Sequence, residues 1–403
     1  MGQQIVVIGG GPIGAAVARF TAEKGARVLL VERRSRPSEV PACTGLVSPR
    51  TLTALGVSKR PILRSIRAVT VHGPGGRCLS LRTDNAKAVV LDRNALEEEL
   101  LARAAKADVE MRMGAEARVL PSGRVELTAR RGIETLDPTI VIGADGPESR
   151  VAKAAGLASA VPWLFGAQAT IKADVSETDC VDVYFQDDGS LFAWRVPAEE
   201  GMIRVGVLCP AGSDPASRLH DLLVQRFDGA CILARVGGRI PGAPLPKTVS
   251  GRFLLVGDAA GQVKPLSGGG LFTGALCARN AARIAAEALA SETPVEHVLA
   301  NYEATWRAEL EEELAFGVTM RSLLTASSGD DIDMLLGILD DEEVRRFIAD
   351  EGDIDHTRQL LNKVTRRPAL WSKLAGLVSL IDPRKLDALI TKDAIGPASG
   401  RPL

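Results

Sequence analysis

Gln4-Ile-Val-Val-Ile8, running straight into Gly9-Gly10-Gly11-Pro12-Ile13-Gly14, is the stretch that decides the fold. Five residues that are almost all apolar and β-branched make a buried parallel strand. The glycines match G-x-G-x-x-G: Gly9 permits the tight turn, Gly11 brings the backbone close to a pyrophosphate, and Gly14 lets a helix pack closely on the strand. Ile13, Val17 and Phe20 mark the apolar face of that helix, and Gly25 is its C-cap. Residues 26–31 are a second strand, and Glu32 ends it 21 residues after Gly11, where an acid meets the ribose hydroxyls of an adenosine. The start of the chain therefore reads as a βαβ dinucleotide-binding unit. Its apolar opening is a first strand rather than a secretion signal, since no basic leader precedes it.

Two later segments narrow the ligand. Val141-Ile-Gly-Ala-Asp145-Gly146, followed by Ser149-Arg150, is a strand leading into an Asp-Gly turn. Leu255-Val-Gly257-Asp258-Ala-Ala-Gly261 is a second strand ending in an acid. An Asp beside backbone amides can accept a ribityl hydroxyl, which a flavin offers and a nicotinamide nucleotide does not. Gly268-Gly269-Gly270 then opens a helix from Leu271, whose positive end suits negative charge on a reduced flavin ring. Each Gly-Asp taken alone also reads as a helix cap. The three motifs in this order point to FAD.

The rest of the chain supplies context. Residues 62–83 alternate as strands around a hairpin at Gly73-Pro-Gly-Gly76, residues 94–105 are helical, and strands follow over 166–173, 181–185, 191–196 and 203–208. Beyond Pro294 the pattern is helical, with breaks near Gly329, Gly352 and Pro383. The expected fold is α/β (α+β overall): a Rossmann-like FAD-binding domain over 1–62, 86–157 and 248–292, an inserted antiparallel β-sheet substrate domain over 63–85 and 158–247, a C-terminal helical domain over 293–395 and a tail at 396–403.

Composition excludes several classes. With 49 Lys plus Arg against 50 Asp plus Glu, the chain has no field to gather nucleic acid. The six cysteines form no CxxC pair and the four histidines are scattered, so no metal is expected. No uncharged apolar run is long enough to cross a bilayer. A cytoplasmic protein is expected, with peripheral membrane contact left open: Leu370-Trp371 and Leu374 through Ile381 suit a membrane surface, and suit a core helix better.

The order GxGxxG, Glu32, Leu91-Asp92-Arg93, Gly143-Ala-Asp-Gly146 and Gly257-Asp258 resembles the p-hydroxybenzoate hydroxylase-like FAD superfamily. Within it the chain is similar to the geranylgeranyl reductase family, which includes the archaeal digeranylgeranylglycerophospholipid reductases. The narrower resemblance rests on Cys43-Thr-Gly-Leu-Val-Ser48, on Phe192-Ala-Trp-Arg-Val-Pro197 (the family's Tyr-x-Trp-x-Phe-Pro box), and on Val263-Lys-Pro-Leu-Ser-Gly-Gly-Gly270. The box departs from the pattern at Phe192 and Val196, so any contact made by the family's tyrosine hydroxyl is missing here.

The resemblance implies that Ile13 sits at the pyrophosphate turn and Glu32 on the ribose. It further implies Cys43, Thr44 and Leu46 along the flavin, Arg93 and Ala117 near the adenine-side and ribityl contacts, and Asp258, Gly270 and Leu271 at the ribityl chain and pyrimidine edge. Arg93 also reads as an ion-pair partner of Glu97, and Cys43 as a small buried hydrophobe as well as a catalytic thiol. Phe192 and Trp194 share a strand face and read equally as core or as an apolar substrate slot, toward which the resemblance tips them, with Pro197. The implied activity is reduction of C=C bonds in polyprenyl groups of isoprenoid lipids, hydride coming from flavin N5 and electrons from reduced ferredoxin or NAD(P)H. Two rivals stand beside it: a flavin monooxygenase or halogenase acting on an aromatic compound, and an electron-transfer flavoprotein serving a quinone.

Overall fold

The computed structural model describes residues 4–37, 43–129, 132–173, 178–370 and 373–374. The opening strand Gln4–Ile8 lies inside a six-stranded sheet in the order Val249–Ser250, Phe253–Leu255, Ile140–Gly143, Gln4–Ile8, Arg27–Glu32, Glu110–Met113. All neighbours are parallel except the first pair, so the sheet needs cover on both faces. Alternation along Ile5–Ile8 supplies it. Ile5 and Val7 point to a layer of helices, Pro12–Ala22, Arg93–Lys106 and Leu271–Ala290. Val6 and Ile8 point to a small antiparallel meander, Glu116–Val119, Val125–Ala129 and Gly132–Leu136. The class is α/β, as the βαβ unit and the later motifs imply.

The second sheet has seven strands, in the order Ile232–Pro241, Trp163–Lys172, Met202–Pro210, Phe192–Pro197, Cys180–Tyr184, Ala68–His72, Cys78–Arg82. It is antiparallel but for one pair, Ala68–His72 beside Cys180–Tyr184. Those two strands are joined by a long excursion through the first sheet, and only such a crossover lets neighbours run parallel. Helix Pro215–Arg226 covers one face of this sheet through Leu219, Leu222 and Leu223. The C-terminal region is helical, with Asn301–Ala326 the longest element. The break at Gly329 is a helix start capped by Ser328 and Asp331, and Gly352 ends helix Glu342–Glu351. Pro383, the stretch from Leu374 to Ile381 beyond its first residue, and the tail at 396–403 lie outside the described residues. Among the described residues no helix is long and apolar enough to cross a membrane.

Candidate functional site

Backbone geometry sets the dinucleotide turn. Gly9 adopts φ +104°, and a Cβ there would lie 2.3 Å from the Ala144 carbonyl oxygen. At Gly14 a Cβ would lie 1.8 Å from the Gly9 oxygen. Both glycines are thus required by the protein itself. Gly11 differs: a Cβ there would meet nothing within 4 Å, so this glycine keeps space open at the mouth of helix Pro12–Ala22. That helix has no side-chain cap and no acid in its first turn, which leaves its N–H groups free for phosphate. Glu32 is buried; its Oε2 accepts the Gly10 N–H at 2.6 Å, and Oε1 accepts Arg34 N at 2.8 Å and Arg34 Nε at 3.1 Å. Oε2 keeps a lone pair for a ribose hydroxyl. Ala117 stands on the meander packed against the same strand ends.

The acids of the two later motifs, Asp145 and Asp258, divide their labour. Asp145 accepts from Ser149 Oγ, Arg150 N and Val151 N at 2.6, 2.7 and 3.2 Å, and so serves the start of helix Arg150–Ala154. Asp258 follows Gly257 (φ +67°), caps no helix, and its carboxylate has no hydrogen-bond partner among the described residues. Burial pushes that carboxyl above its ordinary range, with Arg93 pulling the other way. Asp258 Oδ1 would lie 2.9 Å from a Cβ at Gly270, so the acid stands over the start of helix Leu271–Ala290, which also lacks a side-chain cap. Ile13 wedges between Gly257 and Gly274, whose Cβ atoms would meet it at 3.1 and 2.8 Å. The first motif is thereby locked to the third.

A raised carboxyl is comfortable while neutral, and that contribution is lost as pH rises through its folded-state pKa. Asp258→Asn holds the neutral form at every pH. Cofactor-free Asp258→Asn is therefore expected to melt a few degrees above the wild type at pH 7–8, the gap closing toward pH 4, while FAD affinity falls about tenfold through loss of a charged acceptor. Thermal melts across pH and an FAD titration check both halves.

Cys43, Thr44 and Leu46 lie between the start of helix Arg93–Lys106 and the seven-stranded sheet. Cys43 Sγ accepts the Gly45 N–H at 3.3 Å and stands close enough to the Arg93 guanidinium to favour its charge. Burial works against the Arg93 charge, but Cys43 and Glu97 outweigh it and raise its pKa. Arg93 Nη2 donates to Glu97 at 3.2 Å, whereas its buried Nε has no partner. Arg93 is therefore an ion-pair partner of Glu97 with a donor to spare. Thr44 donates to Gln168 Oε1 at 2.8 Å, and Arg204 Nη1 donates to the carbonyls of Thr44 and Leu91 at 2.7 and 3.1 Å.

Leu46 packs in one apolar cluster with Trp194 and Val183. Trp194 and Phe192 sit with ring centroids 6.0 Å apart, beside Leu164, Leu208 and Ile240, and Ile240 reaches Gly268 of the glycine loop. A continuous apolar band therefore runs from the Trp194 strand to the loop before Leu271. Pro197 is buried at the end of its strand, on the opposite face from Phe192 and Trp194.

Several supporting residues carried no local signal. Gln262 is fully buried; its Oε1 accepts Gly257 N at 2.9 Å, its Nε2 donates to Tyr302 at 3.0 Å, and its carbonyl accepts Thr273 Oγ1 at 2.6 Å. Lys264 on the same loop reaches buried Asp355 at 3.1 Å, which ties the glycine loop to the C-terminal helices. Such pairs span from 5 to 91 residues, and a motif shows only near neighbours in sequence.

These features fit FAD. The Gly11 space and the two uncapped helix starts suit the pyrophosphate and the flavin pyrimidine, and the partnerless Asp258 and Arg93 Nε wait on polar groups of a ligand. Comparison with known proteins agrees. The chain matches the FAD binding domain family over residues 3–228. It is 30% identical over 394 residues to digeranylgeranylglycerophospholipid reductase 2 of Methanopyrus kandleri, covering 91% of this chain and 97% of that one. It is 32% identical over 333 residues to reductase 1 of the same organism, covering 76% and 87%. A solved geranylgeranyl bacteriochlorophyll reductase-like protein of Thermoplasma acidophilum shares the fold at TM-score 0.82 and 22% identity, over 94% of this chain and all of that one. p-Nitrophenol 4-monooxygenase of Pseudomonas putida shares it at TM-score 0.68 and 20% identity, over 87% and 97%. The chain is an FAD-binding oxidoreductase and belongs to the family of the digeranylgeranylglycerophospholipid reductases.

Proposed function

We propose that this chain hydrogenates isolated C=C bonds in the geranylgeranyl groups of an isoprenoid glycerolipid, with reduced ferredoxin or NAD(P)H as the source of electrons. The observation that carries the reading is the placing of Cys43 beside the Arg93 guanidinium and three residues from Leu46, which packs in the apolar band of Trp194, Phe192 and Ile240. When bound and reduced, FAD supplies hydride from N5. The band desolvates and aligns a polyprenyl chain, which has no polar handle of its own. An unactivated alkene accepts hydride poorly, so a proton must reach the second carbon in concert. Cys43 Sγ holds that proton, and the Arg93 guanidinium with the Gly45 N–H receives the negative charge left on sulfur. The lipid resides in a bilayer, so the protein is proposed to work from the cytoplasm at the membrane surface.

The test is anaerobic. The protein is reduced with dithionite, a geranylgeranyl lipid is added, and flavin reoxidation is followed together with product mass. Reoxidation with gains of whole multiples of two hydrogens is expected. A flavin that stays reduced until oxygen enters, with unhydrogenated lipid, overturns the reading and brings the monooxygenase forward.

A further inference from the structure

The seven-stranded sheet presents Phe192 and Trp194 on one face. On the other, at its hairpin end, stands a group of side chains that the flavin chemistry leaves unused. Register places them together: His72 is opposite Cys78 on one side and Tyr184 on the other, and Asp182 is opposite Arg195. Cys78 Sγ lies 3.3 Å from His72 Nδ1, and His72 Nε2 lies 2.9 Å from Asp182 Oδ1. Arg195 Nε donates to Asp182 Oδ2 at 2.5 Å, so both carboxylate oxygens are engaged. The imidazole stacks on Tyr184 with centroids 4.6 Å apart, and Arg226 from helix Pro215–Arg226 covers that tyrosine in turn.

This order has chemical content. A carboxylate bound to Arg195 can only accept, so His72 Nε2 carries the hydrogen and Nδ1 turns its lone pair to the thiol. Nucleophile, base and orienting acid then stand in line. Cys78 is exposed, unlike Cys180, Cys209 and Cys277. Burial pushes Cys209 up to about 11 and Cys277 well above the usual thiol range, so those two stay protonated. Among the described residues no group of His, Cys, Asp and Glu is arranged to hold a metal ion, which leaves thiol chemistry.

We propose that Cys78, His72 and Asp182 form a thiol-exchange site on the outer face of the sheet, where Cys78 captures low-molecular-weight disulfides. His72 Nδ1 takes the Cys78 proton as Sγ attacks one sulfur of the disulfide. A new S–S bond forms at Cys78 and the old one breaks. The departing thiolate takes the proton from His72 and leaves as a thiol. Cys78 is oxidised and the released half reduced, so the disulfide is the only oxidant required. The site is independent of the flavin reaction. Its product lies on the hairpin whose Gly75 N–H binds Asp333 and whose Leu79 packs on Ile332 and Leu336, the seam with helix Gly329–Leu339.

The test treats FAD-loaded protein with oxidised glutathione at pH 7 and maps adducts by mass spectrometry against time. Cys231, the other exposed cysteine, is the reference within the same molecule. Cys78 is expected to react about tenfold faster than Cys231 or more, in keeping with a thiol activated by a neighbouring base. His72→Phe keeps a ring over Tyr184 but removes both nitrogens; it is expected to bring Cys78 down to the Cys231 rate while leaving Cys231 unchanged. Equal rates in the wild type overturn the proposal without any variant, and so does an advantage that survives His72→Phe.

Discussion

Gly14→Ala is expected to weaken the fold and cofactor binding together, while Gly11→Ala, three residues earlier, folds normally and loses FAD alone. At Gly14 the added Cβ would sit 1.8 Å from a backbone oxygen, and no rotamer relieves a main-chain clash. Either helix Pro12–Ala22 must move off the sheet or the Gly9 turn must open, and the helix carries Ala15, Ala16, Val17 and Ala18 in the core. Overpacking commonly costs about 1–3 kcal/mol when side chains can yield, so about 3 kcal/mol or more is expected where only backbone can. The melting temperature should fall by at least about 5 °C. At Gly11 the Cβ enters open space and the backbone (φ −65°, ψ 178°) suits alanine, so cofactor-free stability should stay within about 1 kcal/mol of the wild type. The methyl group then stands where the pyrophosphate must approach, and FAD affinity should drop about 100-fold or more. Calorimetry of the cofactor-free proteins and FAD titration separate the two effects. Retention of FAD by Gly11→Ala at wild-type affinity would show that the pyrophosphate does not cross this turn.

The same contrast explains what the sequence made legible. Strand Gln4–Ile8, the glycine turn and Glu32 are dictated by neighbours in the chain, and periodicity finds such features. The second sheet was half visible. Strand Trp163–Lys172 shows itself in its second half, where Ala167-Gln-Ala-Thr-Ile-Lys172 alternates apolar with polar, but edge strand Ile232–Pro241 has its side chains mostly in solvent and Gly237-Gly238 in its middle, so no apolar pattern marks it. The parallel pair inside an antiparallel sheet depends on how far the chain wanders between Arg82 and Trp163, which no local window contains. In the site, glycines and acids announced themselves because turn geometry and charge restrict residue type. Gln168, Arg204, Gln262 and Tyr302 did not, because a buried polar residue is explained only by a partner that arrives from elsewhere in the fold.

Arg93 and Cys43 are the pair whose joint removal is most informative about the chemistry. Cys43→Ser keeps the shape and removes the thiol that holds the proton, so reoxidation of reduced flavin by the lipid should slow about 100- to 1000-fold, within the range for loss of a general acid. Arg93→Met removes the cation that receives charge on Cys43 Sγ, and about a 100-fold loss is expected. Arg93→Lys keeps the charge without the planar fork and should recover part of it. If Arg93 acts through Cys43, the double variant Cys43→Ser/Arg93→Met should fall within about threefold of Cys43→Ser alone, because a guanidinium has no thiolate left to stabilise. Multiplied losses would instead give Arg93 a separate duty toward the flavin, consistent with its buried and partnerless Nε. Arg93→Met also strips Glu97 of its nearest cation and leaves Arg34 at 3.7 Å. Rates must therefore be compared on FAD-loaded protein of matched absorbance, so that a loss of folded enzyme is not read as a loss of proton transfer.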